Sequence, residues 1–185
     1  MTHSELISVG WFIAEFIMRQ YLVGRSDMLI TYEPGMVSLP ESPDIIALSK
    51  KFRLKEPSVV VECKATRADF LKDRKKPFRV YPDKGMGMFR AYVTNPGIAM
   101  EGEVPEGWLL YEVFEDGAVY MKHGRNPNGF YEFARNSEAE FIMYRYIQHW
   151  LDKGYGAKIP EPLDVPIHFI DRAEYMEKFR KEVEE

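Results

Sequence analysis

Three residues in the first part of the chain have the types and spacing of a hydrolytic metal site. Asp44 follows Pro43. Glu62 lies eighteen residues after Asp44, and Lys64 follows Glu62 with Cys63 between them. Because side chains alternate between the faces of a β-strand, Glu62 and Lys64 would share one face, about 6.6 Å apart. If a neighbouring strand carries Asp44 alongside, two carboxylates and one ammonium converge at a single point.

Such a group can carry out metal-dependent phosphodiester hydrolysis. Mg²⁺ prefers oxygen ligands, keeps several waters and is often held by one or two carboxylates. The lysine can then orient or deprotonate the attacking water, or stabilise the charge that develops on the phosphate. The alternative is a structural Glu62–Lys64 pair beside an unrelated Pro-Asp turn, because the triplet E-x-K is common.

The predicted site needs a strand over residues 58–64, and the sequence favours one. Three consecutive valines are β-branched, and a proline precedes the segment. A second strand over residues 44–48 would bring in Asp44. Thr66, with Asp69 three residues later, has the pattern of a helix N-cap, so a helix should follow the first strand directly and stop at Pro77.

The remaining segments predict an α/β fold, with a mixed central β-sheet flanked by helices. Helices are expected over residues 4–21, after a capping box formed by Ser137 and Glu140, and near the C-terminus. Further strands are expected over residues 28–32, 90–94, 108–113 and 118–122. We expect one domain over residues 1–160, with residues 161–185 as a C-terminal amphipathic helical extension of the same domain.

Charge is unevenly distributed along the sequence. The net charge is −4, but residues 50–90 contain 13 Lys or Arg and 5 Asp or Glu. A basic segment in an acidic chain is typical of a localised polyanion site, although the same charges can coat solvated helix faces and pair locally, Asp69 with Lys72 and Asp73 with Lys76. The residues predicted to contact nucleic acid are Arg67, Lys72, Arg74, Lys75, Lys84 and Arg90.

Other kinds of site are disfavoured by the sequence. Cys63 is the one cysteine and has no adjacent histidine, so neither an internal disulfide nor a thiol nucleophile is expected. The four histidines lack metal-ligand spacing, and no phosphate-binding glycine loop is present. Because no run of about 18 apolar residues exists, we expect no membrane partner. The single cysteine fits a reducing compartment, so we expect a cytoplasmic protein.

The literal motif resembles the signature of the PD-(D/E)XK nuclease superfamily. The stretch from Lys64 to Lys75, with its Ala-Asp-Phe and Asp-Arg-Lys runs, is similar to the MmcB-like DNA repair branch and related prophage proteins. The resemblance implies a restriction-endonuclease-like fold, Asp44 and Glu62 as ligands of Mg²⁺ or Mn²⁺, and Lys64 as catalytic base or charge stabiliser. It also implies an accessory acidic ligand on the first helix.

Glu15 is the candidate for that accessory catalytic and metal-binding role. Its position at the border of the apolar face of the first helix is equally compatible with a surface pair with Arg19, four residues later.

The leading functional hypothesis is a metal-dependent nuclease, acting on DNA in preference to RNA, in DNA repair or in phage or mobile-element DNA metabolism. Two alternatives stay open: a catalytically inactive nucleic-acid-binding module of the same fold, and a phage accessory protein-interaction factor. A homodimer is left open. The glycines at residues 85 and 87 are compatible with either a mobile substrate-closing loop or tight turns, and Tyr81, Phe89 and Tyr92 with either base stacking or the core.

Overall fold

A seven-stranded mixed β-sheet with helices on both faces forms the centre of the protein. The structure is a computed structural model that describes residues 1–21, 28–34, 39, 41–50, 56–100, 102–124 and 134–184. The strands lie in chain order from β1 to β7. Neighbouring strands are antiparallel except for the pairs β3–β4, β4–β5 and β6–β7. The predicted α/β class with a mixed sheet is therefore confirmed.

Among the described residues, six strands and four helices lie close to where the sequence predicted them. The helix after Thr66 ends at Asp73, before Pro77, and the helix that begins at Pro77 and the strand at residues 168–169 were not predicted. The strands are β1 Met28–Tyr32, β2 Ile45–Ser49, β3 Ser58–Lys64, β4 Phe89–Thr94, β5 Leu109–Val113, β6 Ala118–His123 and β7 His168–Phe169. The helices are α1 His3–Tyr21, α2 Arg67–Asp73, α3 Pro77–Val80, α4 Ser137–Asp152 and α5 Arg172–Glu184, and Pro82–Lys84 form one 3₁₀ turn. No helix among the described residues is both long and apolar enough to cross a lipid bilayer.

The two faces of the sheet are covered by different helices. On one face, α1 packs on the odd-numbered residues of β3, so that Cys63 Sγ lies 3.3 Å from the Leu6 carbonyl oxygen. On the other face, α2 and α4 cover Val60 and Tyr92 through apolar side chains such as Phe70 and Met143. Every residue of β3 is buried, because its two neighbours cover the edges and helices cover both faces.

Helix caps decide where the helices around the site begin. Thr66 caps α2 as predicted, since its Oγ1 accepts from the Asp69 amide at 3.2 Å. The predicted capping box of α4 is wrong. Asn136 is the cap and accepts from the Ala139 amide at 3.0 Å, while Glu140 is fully buried and binds elsewhere.

The segment before β4 is tied to the core, which favours the tight-turn interpretation over a substrate-closing loop. The Gly87 amide donates to Glu140 Oε1 at 2.7 Å, and the Met88 amide donates to Ser58 Oγ at 2.9 Å. The Met86 amide donates to a carboxylate oxygen of Glu41 at 2.6 Å. Three successive backbone amides thus donate hydrogen bonds to buried side chains.

The C-terminal residues extend the same sheet. Strand β7 pairs with β6, and the His168 amide donates to the Gly117 carbonyl at 3.1 Å. Helix α5 then packs through Tyr175, whose hydroxyl bonds the buried carboxylate of Glu112 on β5. Residues 161–184 therefore add a strand and a helix to the one sheet.

Candidate active site

The antiparallel pairing of β2 with β3 brings Asp44 beside the Glu62–Lys64 strand. Ile45 lies opposite Val61, so Asp44, one residue earlier, reaches the next positions of β3. Its Oδ2 accepts from the Cys63 amide at 2.8 Å and from Lys64 Nζ at 3.0 Å. The predicted convergence of Asp44, Glu62 and Lys64 is present in the structure.

Glu62 and Lys64 are joined directly on the face of the sheet that α2 covers. Lys64 Nζ donates to Glu62 Oε2 at 2.6 Å. The Glu62 side chain is 1% exposed and that of Lys64 10%, so the pair is removed from bulk water. Buried opposite charges need each other, because leaving either one unpaired costs several kcal/mol.

Asp73, at the end of α2, is a fourth member of the group. Its Oδ1 lies 3.8 Å from Lys64 Nζ and 2.5 Å from Lys76 Nζ. Its Oδ2 accepts from the Tyr92 hydroxyl and from Arg79 Nε, each at 2.8 Å. The local Asp73–Lys76 pair that the sequence suggested is therefore present, but Asp73 is also part of the buried group.

Arg79 holds three carboxylates together beneath the site. Its guanidinium is fully buried, with Nη2 2.6 Å from Glu62 Oε1 and Nη1 bonded to Glu41 Oε1. The contact with Glu62 Oε1 is an ion pair without hydrogen-bond geometry. The guanidinium also lies 4.6 Å from the ring centres of both Phe78 and Trp108. This geometry leaves Arg79 little freedom to move.

Burial and charge shift the protonation of these groups in opposite directions. Burial raises the pKa of Glu62 from its ordinary value of 4.5 to about 7, although Arg79 lowers it, and repulsion from Asp44 adds to the rise. Burial acts to lower the pKa of Lys64, but the carboxylates of Glu62, Asp44 and Asp73 outweigh it and raise that pKa. Burial acts to raise the pKa of Asp73, yet Arg79 and Lys64 hold it below its usual value. Glu62 is thus the group closest to titrating at neutral pH.

Asp44 and Glu62 have the donor chemistry for Mg²⁺ or Mn²⁺. Both are carboxylates, and both contact the single ammonium of Lys64 within 3.0 Å. Within the described part of the chain, no three His, Cys, Asp or Glu side chains are grouped so as to hold a metal ion. Mg²⁺ in proteins keeps several waters and is often held by one or two carboxylates. Asp44 and Glu62 can supply these carboxylates if Lys64 breaks its contact with at least one of the two.

An open cleft of about 370 Å³ reaches the group from solvent. The buried residues Lys64 and Asp73 line it together with Lys72 and Lys76, which are more exposed. Its remaining lining residues are His3, Cys63 and Asp69. The cleft therefore connects Lys64 with solvent beside two further lysines.

Two of the six predicted nucleic-acid contacts, Arg67 and Arg74, are half-buried and pair with a carboxylate of the protein itself. The two terminal nitrogens of Arg67 bind the Glu103 carboxylate at 2.9 and 2.8 Å, and Arg67 also donates to the Ile98 carbonyl. The hydrogen bond from Arg67 and that from the Met100 amide lower the pKa of Glu103 to about 2. Arg74 approaches the same carboxylate at 3.7 Å. Both arginines fasten α2 to the segment after β4.

Arg90 is a wrong prediction as a nucleic-acid contact. It is 1% exposed, and its guanidinium donates to the carbonyl oxygens of Pro82, Gly85 and Gly87. A cation that satisfies backbone carbonyls in the core is not available to a phosphate.

Among the predicted contacts, the other three, Lys72, Lys75 and Lys84, are exposed. Lys84 Nζ lies 4.6 Å from the ring centre of Tyr81, which is exposed. Phe89 and Tyr92, for which the sequence left stacking and core packing open, are buried in the core. Of the predicted contacts, Lys72 is the one that lines the cleft.

Glu15 is not brought to the site. Its carboxylate accepts from Arg19 Nε at 2.9 Å, which is the surface pair that the sequence allowed. Helix α1 lies on the face of the sheet that carries Cys63, opposite to the face of Glu62 and Lys64. The structure therefore corrects the accessory role predicted for Glu15.

Sequence reasoning missed Arg79 and Glu41 as parts of the buried group. Each comes from a short segment without hydrophobic periodicity, and only the fold places them beside Glu62. Comparisons of the chain with models of protein families, with curated proteins and with solved structures give no match.

Proposed function

We propose that the protein is a Mg²⁺- or Mn²⁺-dependent nuclease of restriction-endonuclease-like fold that hydrolyses phosphodiester bonds in DNA. The observation that carries the proposal is the convergence of Asp44 and Glu62 on Lys64 Nζ, within 3.0 Å, where Lys64 also lines an open cleft. The mixed sheet with helices on both faces is compatible with that fold.

In this proposal Asp44 and Glu62 hold the cation, and Lys64 acts on the substrate. The cation, when bound, supplies positive charge for the phosphate and lowers the pKa of a bound water. Because its carboxylate neighbours raise the pKa of Lys64, the lysine is an ammonium at neutral pH. An ammonium can donate a hydrogen bond to a phosphate oxygen but cannot accept a proton, so charge stabilisation is favoured over general-base catalysis.

Cleavage assays on purified protein test the proposal. Single-stranded, branched and duplex DNA, and RNA of matched sequence, are incubated with Mn²⁺ or Mg²⁺. We expect DNA cleavage that requires the metal and falls at least a hundredfold, on the order expected for loss of a group that stabilises transition-state charge, in Asp44→Asn and Lys64→Met. Asp83→Asn, an exposed substitution of the same type outside the site, should cleave normally. Activity that survives both Asp44→Asn and Lys64→Met would overturn the proposal.

A second candidate function is a nucleic-acid-binding module without catalysis. It is favoured by the internal neutralisation of Glu62, whose two oxygens face Lys64 and Arg79, each at 2.6 Å. Such a module would bind DNA with a strong salt dependence and cleave none of the substrates. In a calorimetric titration with Mn²⁺, such a module would show no binding heat that depends on Glu62, so the unmodified chain and Glu62→Gln would give the same signal.

A further inference from the structure

Lys64 is the common partner of the two carboxylates that the proposed function assigns to the cation. Its Nζ lies 3.0 Å from Asp44 Oδ2 and 2.6 Å from Glu62 Oε2. A cation that binds both carboxylates must replace an existing positive charge as their shared neighbour. Either Lys64 or Arg79 must therefore move away from the carboxylates when the cation binds.

Arg79 is held too firmly to be the side chain that moves. It is fully buried, contacts the carboxylates of Glu41, Glu62 and Asp73, and lies 4.6 Å from the centres of two aromatic rings. Moving it would remove an ion-pair partner from three buried carboxylates at once, which is strongly unfavourable. Lys64, by contrast, lines the cleft and has a flexible four-carbon stem.

Asp73 is placed to receive Lys64. Its Oδ1 is 3.8 Å from Lys64 Nζ, so a small rotation of the lysine side chain closes the gap. The carboxylate itself is fixed, because Oδ2 accepts from Tyr92 and Arg79 at 2.8 Å. The present partner of Oδ1, Lys76, has a side chain that is 41% exposed and can turn to solvent.

We propose that Asp73 is a positioning residue that takes over the Lys64 ammonium when a divalent cation binds Asp44 and Glu62. The inference rests on the proposed function and adds to it. In the metal-free protein Lys64 is the counter-ion of the two ligands, and in the metal-bound protein Asp73 keeps it charged, paired and next to the cleft. Without Asp73, cation binding would leave a buried ammonium unpaired, so the cation should bind more weakly.

Nuclear magnetic resonance on protein with ¹⁵N-labelled lysine, without substrate, follows the movement directly. Mg²⁺ is used because it is diamagnetic, and the Lys64 Nζ signal is assigned by its absence in Lys64→Met. We expect that signal to shift and saturate with Mg²⁺, in parallel with the calorimetric binding curve. In Asp73→Asn we expect Mg²⁺ affinity to fall roughly tenfold to a hundredfold, the range seen when a supporting partner of a metal site is lost. Asp83→Asn is the matched control and should bind Mg²⁺ as the unmodified chain does.

The outcomes separate this inference from the proposed function. If Mg²⁺ binds but the Lys64 signal does not move, or if Asp73→Asn binds Mg²⁺ normally, Asp73 has no such role and the nuclease proposal stands. If neither Mg²⁺ nor Mn²⁺ binds, the proposed function itself is wrong. Should Asp73→Asn fail to fold, Tyr92→Phe removes one hydrogen bond to Asp73 and keeps its charge. That variant should weaken Mg²⁺ binding by a smaller factor, and unchanged binding would count against the inference.

Discussion

At the scale of single residues, Glu62 is the side chain on which the site depends most. It is fully buried, and its two oxygens face Lys64 and Arg79, each at 2.6 Å. The neighbouring carboxylates of Asp44 and Asp73 oppose its ionisation. A carboxylate held in this way is poised between its two protonation states, and an ion bound beside it would favour the charged one.

The raised pKa of Glu62 makes stability depend on pH. A carboxyl whose pKa rises from 4.5 to about 7 on folding stabilises the protein below pH 4.5, and this contribution disappears as pH rises towards 7. We expect the free energy of unfolding of the metal-free protein, relative to Glu62→Gln, to fall by at most about 3 kcal/mol over that range. Urea unfolding in a chelating buffer at several pH values measures it. A difference that stays flat or rises across pH 4.5–7 would contradict the assignment.

At the scale of secondary-structure elements, the site depends on how the segment between α2 and β4 is fastened. Arg79 comes from α3, and Glu41, which binds Arg79, also accepts the Met86 amide at 2.6 Å. The turn at Gly87 lets the chain enter β4 while its amide reaches Glu140. Strain introduced at this turn should therefore act on the buried carboxylates.

Substitution of Gly87 tests the importance of that turn. Its φ is +88°, and an added Cβ would lie 2.8 Å from the Phe89 carbonyl oxygen and 3.0 Å from Val60. Gly154 has a similar φ of +77°, but no atom lies within 4 Å of its Cβ position. We expect Gly154→Ala to cost about 1 kcal/mol from backbone strain alone, and Gly87→Ala to cost at least about 1 kcal/mol more. Equal losses in thermal or urea unfolding would show that the close contacts at Gly87 are unimportant.

The elements of the site were largely predictable from sequence, because each has a local signal. A run of valines identifies β3, and Thr66 marks the start of α2. The Pro-Asp dipeptide precedes β3 by the length of one hairpin, and this spacing was sufficient to predict that Asp44 lies beside Lys64. Arg79 and Glu41 could not be found in this way, because their role arises from contacts between distant segments and leaves no periodic pattern.

At the scale of the whole molecule, only part of the basic segment is available to a polyanion, because several of its described cations are buried or paired inside the fold. Lys64, Arg79 and Arg90 are buried, and Arg67 and Arg74 pair with Glu103. The sequence could not show this, because a count of charges does not distinguish a cation on the surface from one that neutralises a buried carboxylate. Fewer cations are thus available to a polyanion than the charge count indicated, and Lys72 is the exposed one of them that lines the cleft.

Lys72 and Lys75 form a matched pair for locating the nucleic acid. Both are exposed residues at or just beyond α2, but Lys72 lines the cleft and Lys75 is not among its lining residues. We expect Lys72→Gln to weaken DNA binding and to reduce the slope of log affinity against log salt by about 0.9, the value for one lost phosphate contact. Lys75→Gln should leave both unchanged. Equal effects in a fluorescence anisotropy titration would place the DNA outside the cleft.

Calorimetric titration of the substrate-free protein with Mn²⁺ tests the central claim most directly. The unmodified chain and Asp83→Asn should bind one ion, whereas Asp44→Asn and Glu62→Gln should lose that binding. Glu15→Gln should bind normally, because Glu15 pairs with Arg19 away from the site. Binding that persists unchanged in both Asp44→Asn and Glu62→Gln would show that these two carboxylates do not hold the metal ion.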